Sequence, residues 1–438
     1  MNSRLFASIL LLLQACGGGN DGGGESADPA ERPNIVLIVA DDLGYADLGI
    51  QGSPDVLTPH IDSLAANGVR FTSGYVSSPV CSPTRAGLMT GRFQQRFGHE
   101  VNPPSPAHPG FGLPLGEITM AEKLGASGYA TALVGKWHLG NEPHFHPLNR
   151  GFDEFFGFLG GSHSYVDWSA DISDPILRDF DPVVESGYLT DALTREAVSF
   201  IRRHKEVPFF LSLTYNAVHR PLETPPQQYM ERFPGVSDPK RKKFLAMLAA
   251  MDDGVGAVMG AIRAAGLENT TLLVFLADNG GLTSLNTSLN TPLRGEKEQL
   301  WEGGIRVPFI MRWKGRVPAG LVFDAPVVQL DLFATALAAA GVAQPSDRVI
   351  DGVNLIPHLD GTDPRMPHAA LFWRFGSLSA ARKGNWKLLR DGTNPPQLFD
   401  LTEDIGETTD LASARPEIVS ELEADLAVWS EQLVPALW

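Results

Sequence analysis

Four unbroken apolar runs punctuate this chain, and each discharges into polar residues. They are Asn34 to Ala40, ending at Asp41-Asp42; Ala130 to Val134, running on to Lys136 and His138; Phe209 to Tyr215, followed by Asn216 and His219; and Thr271 to Ala277, ending at Asp278-Asn279. Runs of this length without polar alternation suit strands covered on both faces, as in a parallel sheet. Between them lie segments with helical spacing, such as Asp191 to His204 and Lys242 to Ala265. A later helix is expected at Pro416 to Leu433, where Ile418, Leu422, Leu426 and Trp429 share one face. The pattern predicts an α/β protein built on a large, mostly parallel sheet flanked by helices. Sheets of this kind place ligands beyond the carboxyl ends of their strands, where this chain concentrates its acids, amides, lysine and histidines.

Composition narrows the picture. A chain of 438 residues has room for one large domain and a smaller one. With 43% hydrophobic and 20% charged residues, the body of the chain is not a disordered segment. A net charge of −16 argues against a nucleic-acid binder, which would show a basic face. The same charge repels an anionic substrate at long range, so a site for one needs local cations that outweigh it. No internal repeat, heptad pattern or charge block is visible.

The chain has two cysteines. Near the first, Arg4 precedes an apolar run from Leu5 to Leu13 that is too short to span a membrane and reads as a signal segment. Leu13-Gln14-Ala15-Cys16 resembles a bacterial lipobox. That resemblance implies removal of the leader and a lipid on Cys16, hence an exported periplasmic or cell-surface lipoprotein anchored at the outer membrane without a transmembrane helix. An ordinary cleaved signal peptide with an incidental cysteine is the plainer alternative. Gly17 to Gly24 holds six glycines with Asn20 and Asp21, so residues 17–32 are expected to be a flexible tether.

The second cysteine, Cys81, stands in Cys81-Ser82-Pro83-Thr84-Arg85, and the run continues to Gly91-Arg92. A lone cysteine is often a small buried hydrophobe, and in an exported chain it can be a reactive thiol. The C-x-P-x-R spacing, however, resembles the signature of the type I sulfatases. Three further stretches resemble the same family: Gly135-Lys136-Trp137-His138-Leu139-Gly140, Asn216-Ala217-Val218-His219-Arg220-Pro221, and Pro292 to Lys297 leading to Glu302 to Pro308. The likeness runs from about Pro33 to the C-terminus and includes Lys383 to Leu388 and Gln397 to Leu401. It implies an alkaline phosphatase-like catalytic domain over residues 33–365. A small C-terminal α+β domain, with an antiparallel sheet and a helix, would follow over 366–438.

Read through that resemblance, the chain is a sulfuric ester hydrolase, and a formylglycine-generating enzyme is its maturation partner. Cys81 would be oxidised to formylglycine, whose hydrated aldehyde attacks sulfur. Hard cations want several oxygen ligands, and Asp41, Asp42, Asp278 and Asn279, with residue 81, would hold one Ca²⁺; capping of helices and turns is the other common use of such acids. Sulfate oxygens need fixed cations, and the leaving alcohol needs a proton donor. Arg85, Lys136, His138, His219 and Lys297 meet that need. In the implied roles Asp278 assists attack, His219 with Lys297 protonates the leaving oxygen, and His138 takes a proton as the aldehyde is regenerated.

Gly160 to Trp168 mixes polar and aromatic groups and is expected to face a sugar substrate, with His163 and Tyr165 as contacts; packing of the loop on its own domain is the alternative. Arg294 and Arg374 are further candidates, as are His99 and Arg178. The expected substrate is a sulfated polysaccharide or oligosaccharide. Two rivals remain: a phosphonate monoester or phosphodiester hydrolase of the same superfamily, and a glycan-binding lipoprotein without turnover.

Overall fold

The computed structural model describes residues 32–103, 110–169, 174–183 and 187–438. The expected signal segment, Cys16 and the tether up to residue 31 lie outside them.

The four apolar runs are strands, buried along almost their whole length: Asn34–Ala40, Ala130–Lys136, Phe209–Thr214 and Thr271–Ala277. A ten-stranded sheet contains them. Its order is Leu321–Phe323, Val69–Phe71, Phe309–Arg312, Thr271–Ala277, Asn34–Ala40, Phe209–Thr214, Ala130–Lys136, Glu154–Phe158, Leu177–Arg178 and Asp181–Pro182. From Thr271–Ala277 to Glu154–Phe158 every pairing is parallel. Antiparallel strands are confined to the flanks. Helices cover both faces and generate two apolar layers. One is centred on Val36, Ile38, Phe275 and the helix Pro239–Ala264; the other on Ile35, Leu37, Val274 and the helix Asp331–Ala339. Alternate residues of one strand thus enter opposite layers, as the period-2 geometry of a strand requires.

Pro239–Ala264 begins after Asp238, whose carboxylate accepts from Lys240 N, and Pro239 sits in its first turn. It packs on Leu189–Arg203 and is largely buried, so its apolar length reflects a core position.

Beyond residue 370, Leu371–Phe375, Leu378–Lys383, Trp386–Asp391 and Gln397–Asp400 form a four-stranded antiparallel sheet. The helix Pro416–Ser430 lies on it through Leu422, Leu426 and Trp429, with Ile418 partly buried alongside. It stops short of Leu433. Pro435 disfavours helical backbone at Val434, and the chain turns instead to pair Val434 N with Gln95 O and Leu437 N with Gly98 O.

Candidate active site

Because the central strands run parallel, their carboxyl ends meet at one edge. Ala40 pairs with Ala277, which sets Asp41-Asp42 beside Asp278-Asn279, and Asp278 N donates to Ala40 O at 3.0 Å. Asp41 N and Val218 N exchange bonds with Ala217 O and Asp41 O, which ties the Asn216 to His219 turn to the same edge. Cys81 is the first residue of the helix Cys81–Thr90, which is buried throughout, and its Sγ lies 3.6 Å from Asp41 Oδ1. One turn on, Arg85 reaches Asp278 Oδ2 through Nε at 3.0 Å and Nη2 at 2.7 Å, while Nη1 donates to Lys136 O. The first helical turn therefore holds residue 81 over the strand ends and locks that position to two of them.

Charge is paired closely here. Lys136 Nζ stands 2.6 Å from Asp41 Oδ2, and Lys297 Nζ stands 2.6 Å from Asp42 Oδ1. Burial alone would raise both carboxyls. Lys136, His219 and Arg85 outweigh it at Asp41, and Lys297 and His219 at Asp42, so both are held below the ordinary carboxylate range. Asp278 goes the other way: burial and the nearby Asp41 raise it despite Arg85. Burial opposes the charge on Lys297, yet Asp42 raises its pKa well above the usual value. Burial, reinforced by Lys136 and Arg85, pushes His138 well below the usual value, leaving a neutral imidazole. Burial also drives the Cys81 thiol up to about 12. A thiol shifted in that direction is the less reactive form, since the thiolate is the nucleophile of a cysteine.

Two buried oxygens in this cluster, Asp42 Oδ2 and Asn279 Oδ1, accept no hydrogen bond from any described residue. Unpartnered buried acceptors are costly, and a hard divalent cation would satisfy both. Asp41, Asp42, Cys81 and His219 bring potential ligand atoms within 4.8 Å of one another. The expected set of Asp41, Asp42, Cys81, Asp278 and Asn279 converges at the same place. His219 joins it from one side, its Nε2 3.6 Å from Asp42 Oδ2, and Nδ1 is 2.6 Å from Arg220 O.

All of Cys81, Arg85, Lys136, His138, His219 and Lys297 come together, but the expected sugar contacts do not. Tyr165 is fully buried beneath the centre, its hydroxyl 2.5 Å from Asn216 O and 2.8 Å from His219 O. It supports the His219 turn and does not face a substrate. Ser164 Oγ and Tyr165 N both donate to Glu223, which folds the loop inward. His163 is buried against Phe158, with Nδ1 on Ser164 O. Arg294 lies over the Trp301 ring at 3.6 Å and donates to Glu407 O. Arg374 is bound by Glu100 and Val434 O, tying the small sheet to the chain terminus. Arg178 pairs with Glu196 at the far flank of the sheet.

His99 has a different role from the one expected. It is buried, and burial lowers its pKa to about 3. Ser82 Oγ donates to His138 O at 2.6 Å and lies 2.6 Å from His99 Nε2. Ser82 Oγ thus links the His99 ring to the His138 carbonyl, and the pair fixes the backbone carrying His138. Ser82 sits inside the C-x-P-x-R run, yet nothing in its spacing announces this bond.

A buried cluster of cations and oxygen donors, at the strand ends of an alkaline phosphatase-like fold, is suited to the hydrolysis of anionic esters. The sulfatase family model matches residues 33–342, and the chain belongs to the sulfatase family. It is 34% identical to N-acetylgalactosamine-6-sulfatase of Sus scrofa, over 98% of this chain and 90% of that protein. Its identity to arylsulfatase A of Bos taurus is 35%, over 90% and 86% of the two chains. Among solved structures it resembles Ps i-CgsB in complex with k-i-k-neocarrahexaose, with a TM-score of 0.88, 37% identity and coverage of 93% and 94%. Phosphonate monoester hydrolase of Agrobacterium radiobacter shares the fold at a TM-score of 0.69 and 20% identity, over 92% of this chain and 96% of that one. The chain is a sulfuric ester hydrolase.

Proposed function

We propose that this protein removes sulfate from sulfated carbohydrate, using formylglycine made from Cys81 and one Ca²⁺. The observation that carries this reading is the convergence of Arg85, Lys136, His138, His219 and Lys297 on residue 81, with Asp42 Oδ2 and Asn279 Oδ1 left unpartnered beside it. Relatives named for N-acetylgalactosamine 6-sulfate and a neighbour solved with a neocarrahexaose support the sugar class.

Asp41, Asp42, Asp278, Asn279 and residue 81 would hold the ion. When bound, Ca²⁺ supplies positive charge to sulfate oxygens, and hydrated formylglycine supplies the hydroxyl that attacks sulfur. Lys136 and Arg85 fix the carboxylates Asp41 and Asp278 that surround residue 81. Lys297 stays cationic and stabilises charge that builds on the sulfate. His219, at the partly open side of the centre, delivers a proton to the leaving sugar oxygen. His138, neutral and buried, accepts a proton when sulfate is expelled and the aldehyde returns.

The proposed organisation is a leader over residues 1–16 with lipid on Cys16, a tether over 17–32, a catalytic domain over 33–365 and a small domain over 366–438. Export as an outer-membrane lipoprotein predicts palmitate labelling of the full chain that Cys16→Ala abolishes.

The test is sulfate and phosphate release from sulfated oligosaccharides, aryl sulfates and phosphodiesters. The protein is co-expressed with a formylglycine-generating enzyme, and Cys81→Ala is the control. Sulfate release from a glycan, absent in the control, is expected, as is the mass of formylglycine in the peptide containing residue 81. A chelator should abolish turnover and added Ca²⁺ should restore it. Turnover of phosphodiesters alone, or an unconverted cysteine in active protein, would overturn the reading.

A further inference from the structure

Beside the catalytic centre lies a cavity of about 390 Å³, with His219 in one wall and Ser162, Arg220, Leu222, Lys240 and Leu285 around it. Its volume is that of a cleft for a small ligand, roughly 300–1,000 Å³. Ser162 follows Gly161, where a Cβ atom would stand 2.8 Å from His138 Nε2. The cavity thus flanks the side of the centre where both histidines lie.

Its charge runs against that of the molecule. The chain carries −16 overall, yet no carboxylate is among the described residues that line this cavity. Arg220 and Lys240 are exposed, and neither forms an ion pair with a described residue. Their neighbours in sequence behave differently: Arg232 is paired with Asp253, and Arg241 with Asp47 and Asp55. The nearby acids are committed elsewhere. Glu223 is held by Ser164 and Tyr165, and Asp238 caps the helix that carries Lys240. The Arg220 backbone is fixed by the bond between its carbonyl and His219 Nδ1. Lys240 stands in a first helical turn that holds no acid, a placement that opposes the helix dipole and disfavours the helix. Leu222, Leu285 and Pro221 add apolar surface on which a sugar ring can lie.

We infer that this cavity is a second anion subsite, in which Arg220 and Lys240 bind an anionic substituent, sulfate or carboxylate, on the sugar next to the one being desulfated. The preferred substrate is then a polyanionic oligosaccharide. This rests on the sulfated-carbohydrate reading above, so its test does not use turnover.

Binding to Cys81→Ala protein is measured by calorimetry at low and high salt. The probes are a carrageenan disaccharide bearing one sulfate, its counterpart bearing two, and a chondroitin sulfate disaccharide bearing one sulfate and a uronate. The doubly charged probes should bind more tightly than the singly sulfated one. Arg220→Gln and Lys240→Gln should each shrink that advantage by roughly three- to tenfold, with added salt doing the same. Both side chains are exposed, so melting temperatures should not fall. An advantage confined to the carrageenan with two sulfates assigns the subsite to sulfate; one confined to the uronate probe assigns it to carboxylate. An advantage that survives in the double variant, or its absence from the parent protein, overturns the inference. Sulfate release from 4-nitrophenyl sulfate by the converted enzyme reports separately on the catalytic reading.

Discussion

Lys297 shows how much a single side chain can carry. It is buried, 2.6 Å from Asp42, and its charge is strengthened rather than lost. A group held so firmly as an ammonium cannot serve as a base at neutral pH; it can only stabilise negative charge or share in donating a proton. Lys297→Ala should lower kcat by about 10²-fold or more, with the far-ultraviolet circular dichroism unchanged. Near-normal turnover would remove the role. Tyr165→Phe tests positioning instead, since its hydroxyl supports the Asn216 and His219 carbonyls. Its kcat should drop by about tenfold with KM little changed, roughly 1.4 kcal/mol on the barrier; an equal effect on KM would mean that Tyr165 meets the substrate. The residues that converge on position 81 were legible because they sit in short motifs, several of them at the ends of obvious strands. Tyr165 and His163 were not, because an aromatic and polar loop reads the same whichever way it faces. Glu223, far along the chain, turns this one inward.

At the scale of the element, the strands that bear the chemistry were the most legible. Asn34–Ala40 and Thr271–Ala277 are apolar after their first residue because helices cover both of their faces. Glu154–Phe158 was passed over. It is short, and glycine interrupts its apolar pattern. That glycine has a packing reason. Gly135 pairs with Thr214 on one side and Gly157 on the other, at the point where the chain departs toward Lys136 and His138. A Cβ on Gly135, whose φ is +120°, would lie 1.9 Å from Thr214 O, and one on Gly157 would lie 1.9 Å from Gly135 O. No side chain can yield there, because the obstacle is backbone. Gly135→Ala should therefore destabilise the protein by about 2–4 kcal/mol and displace Lys136 and His138, with a disproportionate loss of activity. A denaturant titration showing parental stability would refute the packing argument.

The whole molecule is tied together by buried charge. Lys387 of the small sheet is fully buried between Glu302 at 2.9 Å and Glu407 at 2.7 Å. Glu302 also accepts from Tyr75, which Arg382 contacts, and pairs with Arg306. Trp373 packs on Tyr75 from the small sheet at 5.4 Å. The segments holding Glu302 and Lys387 both stood out in the sequence, but only the folded chain shows that they meet. Burial would raise Glu302; Lys387, Arg306 and Arg382 outweigh it and lower its pKa from 4.5 to about 2. A carboxyl depressed on folding stabilises the protein fully above its unfolded value and loses that contribution as pH falls through the folded one. For Glu302 the window is pH 4.5 down to about 2. Glu407 is raised, by burial and then by Glu302, so its own contribution has the opposite sign and weakens as pH rises through its folded value. Acid should therefore loosen the small sheet by protonating Glu302. Glu302→Gln should lose about 3–5 kcal/mol at neutral pH, because it leaves Lys387 and two arginines with less countercharge, and its stability should vary less with pH across that window. Denaturant midpoints followed by tryptophan fluorescence at fixed Ca²⁺ would measure both. If the variant kept the parental slope between pH 4.5 and 2, the acid sensitivity would belong to other carboxyls and not to this junction.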